Sequence, residues 1–240
     1  MILEALEQAV TLALIVACFY LALIVYVRHW QTAWAGPMEK HRLSILCVMV
    51  FAVSAAKVSE DVLGNESGPF DEALLMFIHS HIPPSANRIF EIITMTGSSA
   101  FLFPLTGAAS AALLLRRHRV EALLLAASVA SGAIAVYIIK TAVGRARPTL
   151  WNTDWYWGSS FPSGHTLVVT AFATAASLCI GRICPPAYRF ALPPALLWIA
   201  LVGLSRLVLG VHWPTDVLTA ACIGAFLPLA MNTALALRRA

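Results

Sequence analysis

Apolar residues run along this chain in long blocks broken by short polar segments. Stretches nearly free of charge cover residues 9–27, 43–63, 97–115, 122–139, 166–181, 190–209 and 217–237. Each is close to the roughly 20 residues an α-helix needs to cross the hydrocarbon layer of a bilayer, so the pattern predicts about seven transmembrane helices. Between the second and third blocks, residues 71–81 and 85–95 mix polar groups with Leu74, Leu75, Phe77 and Ile78, then Ile89, Phe90, Ile92 and Ile93. These two segments are too short to span. They are expected as helices lying in the outer interface, guiding a lipid toward a site or packing under a loop.

Composition agrees with this pattern. The 240 residues are 60% hydrophobic and 12% charged, about half the roughly 25% charge of a soluble domain, and mean hydropathy is +0.79. The fold class expected is all-α, a polytopic transmembrane helix bundle with short interfacial helices, forming a single membrane domain over residues 1–240. The net charge of +4 is too small to imply a nucleic-acid partner, and orientation accounts for it better. Arg28, Lys40, Arg42, Arg116, Arg117, Arg119, Arg182, Arg189, Arg238 and Arg239 all follow odd-numbered spans. By the positive-inside rule that face is cytoplasmic. The first block is preceded by Glu4 and Glu7 and followed by Arg28, the charge order of an uncleaved helix with its N-terminus outside rather than of a signal peptide. A bacterial inner membrane is the expected location, with the C-terminus cytoplasmic.

Three polar clusters then fall at span ends on the opposite, non-cytoplasmic side. Lys140 ends the fourth span, and Gly144 and Pro148 break the helix, with Arg147 biased to an extended conformation before proline; the turn can bring Lys140 and Arg147 to one anion, although terminal Lys and Arg also snorkel to headgroups. Arg145 has no partner pattern and is expected to face water or lipid phosphate. Pro162-Ser163-Gly164-His165 precedes the fifth span. There Ser163 can cap a helix, Gly164 lets the backbone approach a phosphate, and His165 sits beside that cradle; a plain cap with an interfacial histidine is the alternative. Arg206 lies near the end of the sixth span, where lipid exposure would cost on the order of 2.5–3.5 kcal/mol, so it should face a polar cavity. Gly210 can end that helix and Pro214 begin the next, placing His212 on a tight turn with Asp216 able to reach back to its ring. A carboxylate there either orients the imidazole or merely caps the helix. Together the clusters supply three cations, two imidazoles and a carboxylate, an inventory for holding a phosphate and attacking it with histidine.

These residues carry a resemblance. Lys140 with Arg147-Pro148, then Pro162 to His165, then Ser205-Arg206 with His212 and Asp216, match without departure the three-part signature of the type 2 phosphatidic acid phosphatase family, membrane relatives of vanadium-dependent haloperoxidases. The resemblance spans about residues 71–237, leaving the first span (about 9–27) as an addition. It implies that Lys140, Arg147 and Arg206 bind phosphate oxygens with Ser163 and the Gly164 amide. It also implies that His212 is the nucleophile, forming a phosphohistidine, that Asp216 orients it, and that His165 protonates the leaving oxygen and then activates water. No cofactor is implied, and no carboxylate or histidine cluster has metal spacing. The implied substrates are undecaprenyl diphosphate or phosphatidylglycerol phosphate first, then phosphatidic acid or a lipid A phosphate. A phosphotransferase would look the same.

The remaining features are less specific. Trp151, Trp155, Tyr156 and Trp157 can line a lipid access groove or form an interfacial aromatic belt. Lys57, Glu60 and Asp61 raise a lipid-phosphate transporter as the non-enzyme alternative, since buried ionisable groups mark transport paths. Cys18, Cys47, Cys179, Cys184 and Cys222 show no ligand spacing and are expected as small buried apolar residues. Asn65-Glu66-Ser67 fits a glycosylation acceptor, a frequent chance pattern. Nothing in the sequence sets an oligomeric state.

Overall fold

A computed structural model describes residues 2–151 and 158–238. Trp155, Tyr156, Trp157 and Arg239 lie outside the described residues, as does the side chain of Glu4. All regular structure among the described residues is helical, the expected outcome where lipid offers the backbone no hydrogen-bond partner and each segment must satisfy its own. The α-helices are α1 (Ile2–Trp30), α2 (Ala35–Lys40), α3 (Arg42–Leu63), α4 (Gly68–His81), α5 (Asn87–Met95), α6 (Ser99–Leu115), α7 (Arg119–Val143), α8 (Gly164–Ile183), α9 (Tyr188–Val208) and α10 (Pro214–Leu237). Seven helical runs are long and apolar enough to cross a membrane, and they coincide with the seven predicted blocks.

Helix α8 occupies the centre, packed by α7, α9 and α10, while α10 also rests on α3. Its sequence explains the position. Leu167, Val169, Ala171 and Ala175 are fully buried, and small or β-branched residues let neighbouring backbones approach where apolar lipid supplies no hydrophobic drive. Helix α1 packs on α3, and most of its apolar side chains remain exposed, as a lipid-facing outer helix requires.

Of the two predicted interfacial segments, α4 is a separate short helix packed on α9 and α10. The second differs: α5 leads into α6 across Thr96-Gly97-Ser98, and Pro84–Leu115 reads as one apolar run. Thr96, Gly97 and Ser98 hold the break through turn hydrogen bonds to Ile93, Thr94 and Met95, and the Ser98 hydroxyl accepts from the Phe101 amide to start α6. Gly97 is required there by close approach, because a Cβ would lie 2.6 Å from Val202 Cγ1 and 3.4 Å from His165 Cβ.

The described arginines counted for orientation sit at one end of the bundle, beside the start of α3, α7 and α9 and the end of α1, α6, α8 and α10. There Arg182 joins α8 to Glu121 on α7 at 2.9 Å and to Asn232 on α10 at 3.2 Å. The chemistry-bearing clusters occupy the other end. All five cysteines are free thiols, and the burial expected of them holds for Cys179 and Cys222 but not for Cys18, Cys47 and Cys184, which are exposed on outward helix faces and at a helix end.

Candidate active site

Helix α7 ends just after Lys140, at Gly144, whose φ of 65° is left-handed and reverses the chain at low steric cost. The segment that follows is pinned to the approach to α8: the Ser160 amide donates to Arg145 O at 2.8 Å and its hydroxyl to Ala146 O at 3.0 Å. Lys140 Nζ donates to Ser159 O. Arg147 donates from Nε to Gly158 O at 3.2 Å and from Nη1 to Val211 O at 2.8 Å. Both cations are thereby turned toward the ends of α8 and α9 rather than outward to headgroups.

Ser163 stands at the N-cap position of α8, but its hydroxyl does not cap the helix as the sequence led us to expect. It pairs with the Thr166 hydroxyl at 3.0 Å. The Ser163 amide donates to Asp216 O at 3.2 Å, stitching the start of α8 to the start of α10. Gly164 opens the helix and His165, half-buried, follows. Lys140, Arg147, Arg206 and His212 all lie within electrostatic range of that ring, so the structure brings the three sequence clusters to one place.

Arg206 is buried on the last turn of α9 and donates from Nη1 to Thr94 Oγ1 on α5 at 2.6 Å, in place of an encounter with lipid. Gly210 ends the turn and Pro214 opens α10, as their chemistry predicts. Between them His212 is almost fully enclosed. Its Nε2 lies 3.4 Å from Arg147 Nη1 and its Nδ1 lies 3.5 Å from Asp216 Oδ2. A guanidinium can only donate, so Nε2 meets it with a lone pair and the ring proton belongs on Nδ1, toward the carboxylate. The same Oδ2 accepts the Trp213 amide at 2.9 Å, the helix cap offered as the alternative reading of Asp216. Burial pushes the His212 pKa down to about 4; the facing Asp216 carboxylate opposes this, while Arg206 and Arg147 reinforce it.

Arg145 is the main correction. Instead of facing water or lipid phosphate, it is largely buried between two carboxylates, 2.6 Å from Asp216 Oδ1 and 2.7 Å from Asp71 Oδ2. It also donates to Thr215 Oγ1 at 2.9 Å and Ser67 Oγ at 3.1 Å. Sequence reasoning missed Asp71, Thr94 and this role for Arg145. The signal for Arg145 was its place between a helix-ending glycine and Arg147; for Asp71 and Thr94, both on short helices distant in sequence, there was none.

Elsewhere, Lys57 pairs along its own helix with Glu60 at 3.2 Å and Asp61 at 3.1 Å, a surface arrangement rather than a buried path. Ser67 of the Asn65-Glu66-Ser67 triplet is buried against Arg145. Trp151 stacks on His79 of α4 with ring centroids 4.0 Å apart. Among the described residues no group of three His, Cys, Asp or Glu side chains could hold a metal ion.

Comparison with known proteins gives a consistent picture. The PAP2 superfamily matches residues 121–239. A lipid A 1-phosphatase of Rhizobium etli is 30% identical over 175 residues, covering 62% of this chain and 72% of that protein. A decaprenylphosphoryl-5-phosphoribose phosphatase of Mycobacterium tuberculosis is 37% identical over 114 residues, 46% of this chain and 58% of the relative. In three dimensions, the transmembrane PAP2 type phosphatidylglycerolphosphate phosphatase from Bacillus subtilis superposes with a TM-score of 0.66 at 25% identity, covering 78% of this chain and 93% of that one.

Proposed function

From the premise that the chain belongs to the PAP2 superfamily, we propose that His212 attacks a lipid phosphate held by Lys140, Arg147 and Arg206. The protein is an integral membrane lipid phosphatase of that family. The observation that carries the catalytic reading is the His212 geometry: Nε2 presents its lone pair beside Arg147 Nη1 at 3.4 Å, and Asp216 stands behind Nδ1.

In the first step Nε2 forms a bond to phosphorus as the bond from phosphorus to the lipid oxygen breaks. His165 gives its proton to that oxygen. For a monoester the departing group is the lipid alcohol, and for a diphosphate it is the lipid monophosphate. The charge spread over the phosphoryl oxygens is met by Lys140, Arg147 and Arg206, with Ser163 and the Gly164 amide completing the cradle. Phosphoryl transfer needs positioning and dispersed positive charge more than covalent assistance, so three fixed cations take the part a divalent metal plays elsewhere. In the second step His165 takes a proton from water, whose oxygen bonds to phosphorus while the bond to Nε2 breaks, releasing inorganic phosphate. Asp216 stabilises the imidazolium character that develops on His212.

The site lies at the bundle end opposite the orientation arginines, which supports a non-cytoplasmic active site by the positive-inside rule. Relatives acting on lipid A and on a decaprenyl-linked phosphoribose, with the phosphatidylglycerolphosphate enzyme, support a phosphate on a large lipid. Undecaprenyl diphosphate and phosphatidylglycerol phosphate remain the favoured substrates. The test is phosphate release by purified protein in EDTA with undecaprenyl diphosphate, phosphatidylglycerol phosphate, phosphatidic acid and lipid A, with His212→Ala alongside. Release from one class, lost in the variant, supports the reading and names the substrate. Release that survives His212→Ala overturns the histidine nucleophile, and no release by folded protein moves the reading to a phosphotransferase or a transporter.

A further inference from the structure

Asp71 is fully buried in the first turn of α4, far in sequence from every residue with a catalytic assignment. Its Oδ1 accepts the Thr215 amide at 2.9 Å; its Oδ2 accepts the Thr215 hydroxyl at 2.7 Å and Arg145 Nη2 at 2.7 Å. Arg145 continues the chain, with Nη1 2.6 Å from Asp216 Oδ1. The two oxygens of Asp216 thus have separate tasks. Oδ1 is taken by Arg145, and Oδ2 accepts the Trp213 amide and faces the His212 ring. From these contacts we infer that Arg145 and Asp71 are positioning residues, through which docking of α4 sets the orientation of Asp216 and so the direction of the His212 lone pair.

The chemistry requires both members. A carboxylate rotates about its final bond, and a bond on Oδ1 fixes where Oδ2 points. A planar guanidinium suits this task because its forked donors engage two carboxylates at fixed angles, which a lysine ammonium does not do. Asp71 holds the second edge of that fork. Without it, Arg145 would keep Asp216 on one edge but only the Ser67 hydroxyl on the other, and the short helix α4 would lose its polar tie to the start of α10. Without Arg145, the buried carboxylates of Asp71 and Asp216 would face one another with no cation between them, which at low dielectric is strongly repulsive. The ring of Trp213 closes the other side of the guanidinium, 5.7 Å from its carbon, and the Trp213 indole donates to Ala146 O at 3.0 Å.

The kinetic arm of the test rests on the phosphatase reading, and a spectroscopic arm does not. In the first, Arg145→Gln, Asp71→Asn and Arg145→Lys are each made in the native protein and in an Asp216→Asn background. Acting through Asp216, Arg145→Gln is expected to lower kcat about 100-fold with KM within about threefold, yet to cost less than about threefold more once Asp216 is already asparagine. Asp71→Asn should behave likewise at about tenfold, and Arg145→Lys should recover only part of the loss. Equal fold-losses in both backgrounds, or an unchanged kcat, overturn the proposal. In the second arm, 15N-histidine spectra of the full-length protein in micelles, with His212 assigned by its absence in His212→Ala, should show the proton on Nδ1 in the native protein. Arg145→Gln should show a tautomer mixture. An unchanged His212 signal in Arg145→Gln sinks the positioning role even if no lipid proves to be a substrate, whereas no hydrolysis of any lipid by the native protein, with a shifted signal in Arg145→Gln, sinks only the phosphatase reading. If Arg145→Gln does not fold, Arg145→Lys and Asp71→Asn carry the same comparison.

Discussion

Arg147 Nη1 approaches His212 Nε2 to 3.4 Å while donating to Val211 O, the neighbouring carbonyl, at 2.8 Å. One guanidinium therefore both anchors the turn that carries the histidine and stands beside Nε2, where it can donate to an oxygen of a phosphate under attack. The proposed nucleophile and a proposed phosphate-binding cation are set by the same contact.

That contact has a pH consequence. His212 must be neutral to attack, and burial with nearby arginines holds its pKa down to about 4. The acid limb of kcat/KM, which reports the free enzyme, should therefore fall near pH 4 rather than at the ordinary histidine value. The limb of kcat should lie higher, because a bound phosphate anion favours the imidazolium. The two profiles, corrected for lipid phosphate ionisation by 31P titration, check this; a kcat/KM limb at about 6.5 would remove His212 as the titrating group. The same shift affects stability. The unfolded chain binds this proton more readily than the folded one, so the contribution is complete above about pH 6.5 and is lost as pH falls toward 4.

Thr94→Val removes the hydroxyl that holds Arg206 Nη1 at 2.6 Å. Hydrogen bonds to charged groups contribute about 1.5–3 kcal/mol, so kcat/KM should drop roughly tenfold to a hundredfold. Thr94→Ser should retain most of the activity. Equal losses in the two variants would mean that packing, not the hydroxyl, matters at this position.

Gly97→Ala places a methyl 2.6 Å from Val202 Cγ1 and 3.4 Å from His165 Cβ. Overpacking of this kind costs about 1–3 kcal/mol, and here the neighbour that must move is Val202, with the proposed acid His165 lining the same gap. Turnover should fall by about tenfold or more, and Val202→Ala in the same chain should restore much of it. Failure of that rescue would place the strain elsewhere.

Activity should be unchanged by EDTA and inhibited by vanadate, which can bind as a mimic of five-coordinate phosphorus on His212. Activity lost in EDTA and regained with magnesium would overturn the three-cation mechanism.

Much of the architecture was legible in the sequence because membrane spans are written locally. A block of about 20 apolar residues must become a helix in lipid wherever it occurs, and all seven blocks did so. Helix ends were nearly as readable: Gly144, Gly210 and Pro214 stand where their backbone chemistry demands. The α5 to α6 junction was less so. Thr96-Gly97-Ser98 interrupts one apolar run without a proline, and the break is shaped by the approach of His165 and Val202. Ser163 illustrates the same limit, since a cap expected from residue type gave way to a hydroxyl pair with Thr166.

By itself the sequence determined the helical membrane fold, the end of the bundle where the polar clusters gather, and the residues Lys140, Arg147, His165, Arg206, His212 and Asp216 as the candidate inventory of a site. Those follow from hydropathy, charge order and short-range spacing, all properties of contiguous residues. Only the tertiary structure decided what stands behind that inventory: Thr94 under Arg206, and Arg145 clamped between Asp71 and Asp216. Such contacts join positions 70 or more residues apart, and which distant hydroxyl or carboxylate meets a buried cation depends on how the helices pack, a property no local stretch of sequence carries.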